Sequence, residues 1–459
     1  MKFNLNGEKK LKFKIALLAY ILLISVVRLV IFFASEPIIC PDTQSYIDLA
    51  TMISKLDFSD FDGLRTPGYP FIILLCGLNL KIVVFAQMLM GVLISYFIAS
   101  TVYKFTNNTV LSLIASGLYS LFIPFLFFEM AILSEITAAF FILLSFVLFA
   151  NMIKNNDENR VLLKMISIIV ISCMAALTRP IYFVLPLLYT AFFILILAKR
   201  KHKFPRILLY SFVSLIPLFI SIAGWSFVNL KYNNTFSIAT GRGFAFMEMA
   251  GDYIELAPDD YPYNIIKEIY IRERDENIQN GNPHIDTIWG ITDELMEKTG
   301  LSYEELAQKV KDMCIKVMLK KPDIYIKAII RSEINFWKTF GILIRTETNV
   351  PRPIKLVNII QRYILILVQV PFIIAPVVFF IRWRKIKDFA KHKALISFSF
   401  TYILIVGVSI LISLVEGGEG RFAMPTFPLL IISTFAFYNL VLQEKSYIKI
   451  ISTLRKNAA

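Results

Sequence analysis

Long apolar runs constrain this chain more than any other feature of its sequence. The hydrocarbon core of a bilayer is about 30 Å thick and a helix rises about 1.5 Å per residue, so roughly 20 apolar residues can span it. Ten such runs predict ten membrane-spanning helices, at 13–33, 82–102, 110–128, 132–150, 162–177, 180–198, 207–230, 363–381, 394–415 and 422–442. The apolar content of 57% and the mean hydropathy of +0.64 favour the same class and argue against a water-soluble protein of this length.

The basic residues predict how the spans are oriented. The formal net charge is +14, but lysine and arginine cluster at the start of the chain, at 199–203, at 382–393 and in the tail. These segments all fall on one side of the predicted spans, and short cytoplasmic loops carry such an excess. The charge is therefore interpreted as a topology signal and not as a nucleic-acid surface. It predicts a multi-pass protein of a bacterial plasma membrane with both termini in the cytoplasm.

Two longer segments divide the chain into three parts. Residues 1–230 are predicted to form an N-terminal membrane module of seven spans, which includes an acidic first outer loop at 34–80. Residues 231–362 are predicted to form a helical insertion outside the cytoplasm. Ser302 and Glu305 make a capping box that starts one of its helices, and a second helix is expected from Asp323 to about Phe340. Residues 363–459 form a C-terminal module of three spans with a basic tail.

Polar groups at the outer ends of the spans are the candidates for chemistry, because such groups are costly at membrane depth. Asp42 lies in the first turn of a predicted short helix, where a carboxylate can accept a proton, bind a metal ion or simply cap the helix. Arg65 opens the stiff turn Arg-Thr-Pro-Gly-Tyr-Pro, which leads into a short apolar run at 71–80 that is expected to be interfacial or re-entrant. A fixed guanidinium suits phosphate binding, although a lone interfacial arginine often only snorkels.

Two further clusters are predicted on the same face. Glu129 and Glu135 flank the outer ends of the third and fourth spans, and Arg179 is a possible partner of Glu135. That pair is as compatible with a structural ion pair as with catalysis. Glu419 and Arg421 lie in a glycine-rich segment before the last span, where the arginine can contact a lipid phosphate or merely anchor a flexible loop. Together, these carboxylates and arginines favour an enzyme that moves a group off a lipid phosphate.

The ordered motifs resemble those of the bacterial polytopic GT-C glycosyltransferases, the group that includes the protein O-mannosyltransferases and the aminoarabinose transferases. The motifs are Asp-x-x-x-Tyr at Asp42, Arg-Thr-Pro-Gly-Tyr-Pro at Arg65, Leu-Ser-Glu at Glu135, Thr-Arg-Pro at Arg179 and Gly-Arg-Phe-x-x-Pro-x-x-Pro at Arg421. The resemblance implies an all-α GT-C-like bundle of about ten transmembrane helices with a helical extracytoplasmic insertion.

The resemblance also implies an activity and a set of site residues. It implies transfer of a hexose or pentose from a polyprenyl-phosphate-linked donor to a cell-envelope acceptor outside the cytoplasm. Asp42 maps onto the general base or a metal ligand, so a divalent cation is a candidate cofactor. The expected substrate-binding residues are Tyr46, Arg65, Tyr69, Glu135, Arg179, Glu419 and Arg421. Many relatives have Asp-Glu in the first loop, but Thr43 follows Asp42 here, so Asp48 or Glu36 would have to supply any second carboxylate.

Two alternatives use similar sequence features. A lipid-linked oligosaccharide flippase or other transporter is also polytopic and basic on the inside. Transporters, however, tend to place ionisable groups near mid-membrane and to contain internal repeats, and no repeat is evident in this sequence. An O-antigen-type polymerase or ligase uses the same donors, but the acidic first loop and the turn at Arg65 argue against it.

Overall fold

The computed structural model describes residues 5–154, 160–281, 287–338, 352–382, 393–418 and 420–436. Within these residues all regular structure is helical, apart from one isolated parallel bridge between Ile38 and Ala131. The N-terminal module contains ten α-helices: α1 Leu5–Ala34, α2 Thr43–Lys55, α3 Gly68–Leu75, α4 Leu80–Thr106, α5 Thr109–Ser120, α6 Ile123–Met130, α7 Glu135–Lys154, α8 Val161–Thr178, α9 Val184–Lys199 and α10 Phe204–Asn233.

The insertion and the C-terminal module are helical as well. The insertion contains α11 Ala245–Ala250, α12 Tyr263–Gln279, α13 Thr287–Gly290, α14 Thr292–Thr299, α15 Tyr303–Lys320 and α16 Pro322–Trp337. The C-terminal module contains α17 Arg352–Arg382, α18 Lys393–Ser413 and a 3₁₀ turn at Gly420–Thr426, followed by helical residues 427–436.

The described helices make this a multi-pass membrane protein. Eight of them are long and apolar enough to cross a membrane, and a ninth span results if the bent pair α5 and α6 counts as one. The predicted third span, 110–128, is broken into two helices that meet at an angle of 51°. The predicted tenth span, 422–442, is described only as far as residue 436, so its length lies partly outside the described residues.

A proline accounts for the break between α5 and α6, and side chains of other helices bond the backbone groups at the break. Pro124 stands in the first turn of α6 and cannot continue a helix from α5, since it has no N–H to donate. The backbone groups that the break releases are bonded by side chains of other helices: Arg28 donates to the Ser120 carbonyl at 3.3 Å, and the Gln361 amide accepts from the Ile123 N–H at 2.8 Å. A broken helix is tolerated in a membrane only when such partners exist.

The short helix α3 lies against the end of α8. It has eight residues, too few to span a bilayer, as the run at 71–80 predicted. Gly68 begins this helix, and a Cβ atom at that position would lie 2.5 Å from the Thr178 nitrogen and 2.7 Å from the Leu177 carbonyl oxygen. Glycine therefore lets the turn that follows Arg65 pack directly on the backbone next to Arg179.

The insertion has its own hydrophobic core. A cluster of buried residues, from Phe244 to Ala328, is separate from the main core of the membrane helices. The capping box at Ser302 and Glu305 is present as predicted, and it starts α15, whose Leu306, Val310 and Met313 are buried. Helix α16 begins at Pro322; its predicted continuation to about Phe340 falls on residues 339–340, outside the described residues.

Helix α16 has one exposed apolar side and one buried side. Ile326, Ile330 and Ile334 are each about half exposed, whereas Ser332 and Phe336 are buried. The buried side packs against α18 and the 420–426 turn. The exposed stripe lies on the opposite side of the same helix.

Several connections meet at one end of the helical bundle, named here the site end. Helices α1, α8 and α10 finish there, and α4, α7 and α9 begin there, because consecutive antiparallel spans alternate in direction. The insertion and the 414–426 segment lie at the same end and contact the first loop, through Thr240 to Gly63 and Arg421 to Asp42. The site end therefore collects every segment that carries a predicted site residue.

Candidate functional site

Asp42 lies at the centre of the candidate site. It occupies the cap position before α2, but its side chain makes no hydrogen bond to the helix backbone, so it is not a helix-capping aspartate. Its Oδ1 accepts from Arg65 Nη2 at 2.8 Å and its Oδ2 accepts from Arg421 Nη1 at 3.0 Å. One carboxylate thus joins two arginines that are far apart in the sequence.

The electrostatic surroundings keep Asp42 ionised. Burial alone would raise its pKa, but the guanidinium groups of Arg421 and Arg65 outweigh that effect and lower the pKa to about 2. Because this value lies far below neutrality, Asp42 carries its negative charge throughout the physiological pH range.

Arg65 is fixed by three neighbours. Besides its ion pair with Asp42, its Nε donates to Ser45 Oγ at 2.8 Å, and its guanidinium lies 4.7 Å from the centre of the Tyr46 ring. Ser45 and Tyr46 both belong to the first turn of α2, so the helix that presents Asp42 also orients its arginine. This arginine is a positioned group and not a snorkelling side chain.

Arg421 and Arg179 share one aromatic neighbour. Each guanidinium is 5.3 Å from the centre of the Phe422 ring. A ring face attracts a cation, so Phe422 can stabilise both arginines. Phe422 was not among the predicted site residues, although it belongs to the Gly-Arg-Phe motif at Arg421.

Glu135 and Arg179 form the second ion pair of the site, with 2.7 Å between Glu135 Oε1 and Arg179 Nη1. Glu135 is the first residue of α7 and Arg179 follows the last residue of α8, and each charge suits its helix end. These helices are antiparallel and packed together, so the two ends coincide. The buried Oε2 atom of Glu135 has no hydrogen-bond partner among the described residues.

The two predicted tyrosines differ in position. Tyr46 packs against Arg65, and its hydroxyl is 3.2 Å from Ser134 Oγ, which in turn lies 3.4 Å from Arg179 Nη1. Tyr69 lies behind Tyr46 in an edge-to-face contact and is fully buried, with its hydroxyl donating to Gln87 at 2.8 Å. Tyr69 therefore supports the ring of Tyr46, and its role in substrate binding stays a prediction.

Backbone contacts attach the first loop to the segment before α7. Ile38 N donates to the Met130 carbonyl and the Ile38 carbonyl accepts from Ile132 N, both at 3.0 Å. Thr43 Oγ1 donates to the Ile132 carbonyl at 3.1 Å. The chain that carries Asp42 is thus held against the chain that leads to Glu135.

The insertion holds the segment that carries Arg421. Gly417 N donates to Glu248 Oε2 at 2.9 Å, and Ser332 Oγ donates to the Glu416 carbonyl at 2.7 Å. Gly418 has φ of +68°, and a Cβ atom there would lie 2.4 Å from the Ser332 carbonyl oxygen. Glycine is required at this contact. Glu419, the remaining predicted binding residue, lies outside the described residues.

A small cleft opens beside the cluster. It has a volume of about 90 Å³ and shares Ser45 and Arg65 with the Asp42 site. Carboxylates from α2 and the following loop line it together with apolar side chains; the lining residues are Ser45, Asp48, Leu49, Met52, Asp60, Phe61, Asp62 and Arg65. Asp42 does not line the cleft, but its partner Arg65 does.

The described residues do not fit the expected divalent cation. They contain no group of three or more His, Cys, Asp or Glu side chains arranged to hold a metal ion. Both oxygens of Asp42 are bonded to arginines, and Glu36, one candidate for the second carboxylate, is paired with Lys81 at 3.5 Å. Asp48 lies in the cleft and accepts from Gln44. No step of the chemistry is assigned to a metal.

Glu129 belongs to a different site from the one predicted. It is fully buried and forms a two-bond ion pair with Arg28 of α1, at 2.7 and 2.8 Å. A Cβ atom on Gly91 would lie 2.0 Å from Glu129 Oε1, so α4 also leaves space for this carboxylate. Arg28 lies inside the first predicted span, 13–33, and was not predicted as a site residue.

The geometry brings together Asp42, Tyr46, Arg65, Glu135, Arg179 and Arg421 at the site end, with Tyr69 behind them. Three guanidinium groups and two carboxylates leave this cluster with an excess of one positive charge, which suits an anionic ligand. Comparison of the chain with models of protein families, with curated proteins and with solved structures finds no match.

Proposed function

We propose that this protein is a membrane glycosyltransferase of GT-C type that moves a hexose or pentose from a polyprenyl-phosphate-linked donor to a cell-envelope acceptor. The observation that carries the proposal is the Asp42 carboxylate bridged by Arg65 and Arg421, next to the Glu135–Arg179 pair. A proton acceptor and phosphate-binding guanidinium groups are the two components that such a transfer requires.

In the proposed reaction Asp42 takes the proton of an acceptor hydroxyl group. The acceptor oxygen forms a bond to the anomeric carbon of the sugar as the bond from that carbon to the phosphate oxygen breaks. Arg65 and Arg421 stabilise the negative charge that the departing polyprenyl phosphate gains. The cleft beside Ser45 and Arg65 provides the approach for the acceptor.

The site end is proposed to face the outside of a bacterial plasma membrane, with both termini in the cytoplasm. The basic segment at 199–203 connects α9 to α10 at the opposite end of the bundle, where the positive-inside rule places the cytoplasm. The donor and the acceptor then meet at the outer leaflet.

This orientation predicts the labelling of single cysteines in intact cells. In a variant without its four native cysteines, Asp259→Cys in the insertion should react with a membrane-impermeant maleimide. Lys203→Cys, which is also exposed but lies at the opposite end, should react only after the membrane is permeabilised. The reverse pattern would place the cluster in the cytoplasm and exclude the proposed acceptor side.

Arg421→Ala should weaken donor binding more than it slows the chemical step. The substitution removes one charge-assisted hydrogen-bond donor from the phosphate site, so the donor KM is expected to rise about tenfold or more. The measurement is transfer of labelled sugar from a polyprenyl phosphate sugar by purified protein in lipid. Arg272→Ala, which removes an exposed arginine paired with Glu294 in the insertion, is the matched control and should leave the KM unchanged. An unchanged KM in Arg421→Ala would remove this arginine from the phosphate site.

One observation favours the flippase or transporter alternative. The Arg28–Glu129 pair consists of two ionisable side chains inside the membrane helices, and transporters place such groups on their transport path. However, both side chains are fully bonded and also hold the broken span α5–α6 together. This favours a structural role, and the Arg28 variant discussed below separates the two.

A further inference from the structure

Asp42 makes contacts that an anionic ligand would otherwise make. Its two carboxylate oxygens lie at 2.8 and 3.0 Å from guanidinium nitrogens of Arg65 and Arg421, as the oxygens of a bound phosphate would. These arginines come from the first loop and from the segment before the last helix. The carboxylate is therefore the anion that joins the two halves of the phosphate site.

The bridge is open to exchange. The side chains of Asp42, Arg65 and Arg421 are each about one quarter exposed, at 24%, 22% and 25%. Asp42 has no helix-capping bond that would hold it in place. The neighbouring Glu135–Arg179 pair is more deeply buried, at 2% and 15%. An incoming anion would reach the Asp42 bridge before that pair.

We infer that the Asp42 carboxylate occupies the donor's phosphate site in the free protein, and that the phosphate displaces it from Arg65 and Arg421 when the donor binds. The inference rests on the proposed function. The phosphate then pairs with both arginines, and Asp42 is released at the moment when a proton acceptor is needed. Donor binding and release of the base then occur in the same step.

The pKa of Asp42 supports this order of events. With both arginines in place its pKa is about 2, and a carboxylate held that strongly is a poor proton acceptor. Once a phosphate has taken over the two guanidinium groups, the effects that lower the pKa are weakened while burial continues to raise it. The released carboxylate is the better base.

The test is the affinity for polyprenyl phosphate, which carries no sugar and cannot react. The probe is a polyprenyl phosphate of defined chain length added to the full protein in lipid nanodiscs, with inorganic phosphate in a second arm. Asp42→Asn removes the competing charge, so the Kd for polyprenyl phosphate should fall about tenfold at low salt. Asp259→Asn, which removes an exposed carboxylate paired with Lys267 in the insertion, should leave the Kd unchanged.

The outcomes separate the inference from the proposed function. A Kd for Asp42→Asn that is unchanged or higher than that of the wild type overturns the inference, because the carboxylate then does not compete with phosphate. Should Asp42→Asn fail to fold, Asp42→Ser gives the same comparison. A similar gain for inorganic phosphate would show that the site recognises the anion alone, and a gain confined to the lipid would show that the isoprenoid chain is also required. Tighter binding without any sugar transfer by the wild type would uphold the exchange and reject the glycosyltransferase.

Discussion

Asp42→Asn is expected to abolish sugar transfer while the protein remains folded in the membrane. General bases contribute roughly 10² to 10⁴-fold to such reactions, and asparagine has almost the same shape as aspartate but cannot accept the proton. The fold should survive because Asp42 caps no helix and lies in a partly exposed position. The measurement is kcat for transfer from a polyprenyl phosphate sugar, together with size-exclusion profiles of both proteins.

The matched control is Asp259→Asn, which changes the same chemical group in the insertion and should leave kcat unaltered. Turnover by Asp42→Asn close to that of the wild type would remove Asp42 from its role as base. The unpartnered Oε2 of Glu135 would then identify the next carboxylate to test.

Arg28→Ala is expected to cause the largest loss of stability. Glu129 is fully buried, so removal of its partner leaves an uncompensated charge, which typically costs about 3–5 kcal/mol. The Ser120 carbonyl at the break between α5 and α6 also loses its donor. Thermal unfolding in detergent should show a clear fall in Tm, whereas Arg206→Ala, an exposed arginine near the start of α10, should show little change.

The double variant Arg28→Met with Glu129→Leu provides the complementary test. It removes both charges at once, so it should recover much of the stability that Arg28→Ala loses. If Arg28→Ala were as stable as the wild type but inactive, the pair would have a functional role inside the membrane, and the transporter alternative would gain support.

The sequence allowed the helical membrane class and most of the spans to be predicted, because hydrophobic length is a local property that a single run reveals. The break in the third predicted span was missed, although Pro124 marks it, because an apolar run contains no sign of the partners that a broken helix requires. Those partners, Arg28 and Gln361, come from distant helices.

The site was predicted less completely than the fold. Their position next to span ends allowed a site role to be predicted for Asp42, Arg65, Glu135, Arg179 and Arg421, because ionisable groups at such positions are costly and are usually functional. Which residues pair was only partly visible: Glu135 with Arg179 was expected, but the bridging of Asp42 to Arg421 depends on tertiary packing. Glu129 was grouped with the wrong cluster for the same reason.

The bridge between Asp42 and Arg421 joins positions 379 residues apart. Asp42 is therefore synthesised long before Arg421, and no nascent chain can form this bridge until the segment that carries Arg421 has been made. For a sugar transferase, this means that activity appears only when synthesis of the chain is nearly complete. A prematurely terminated product would be inserted in the membrane but would not react with its isoprenoid substrate.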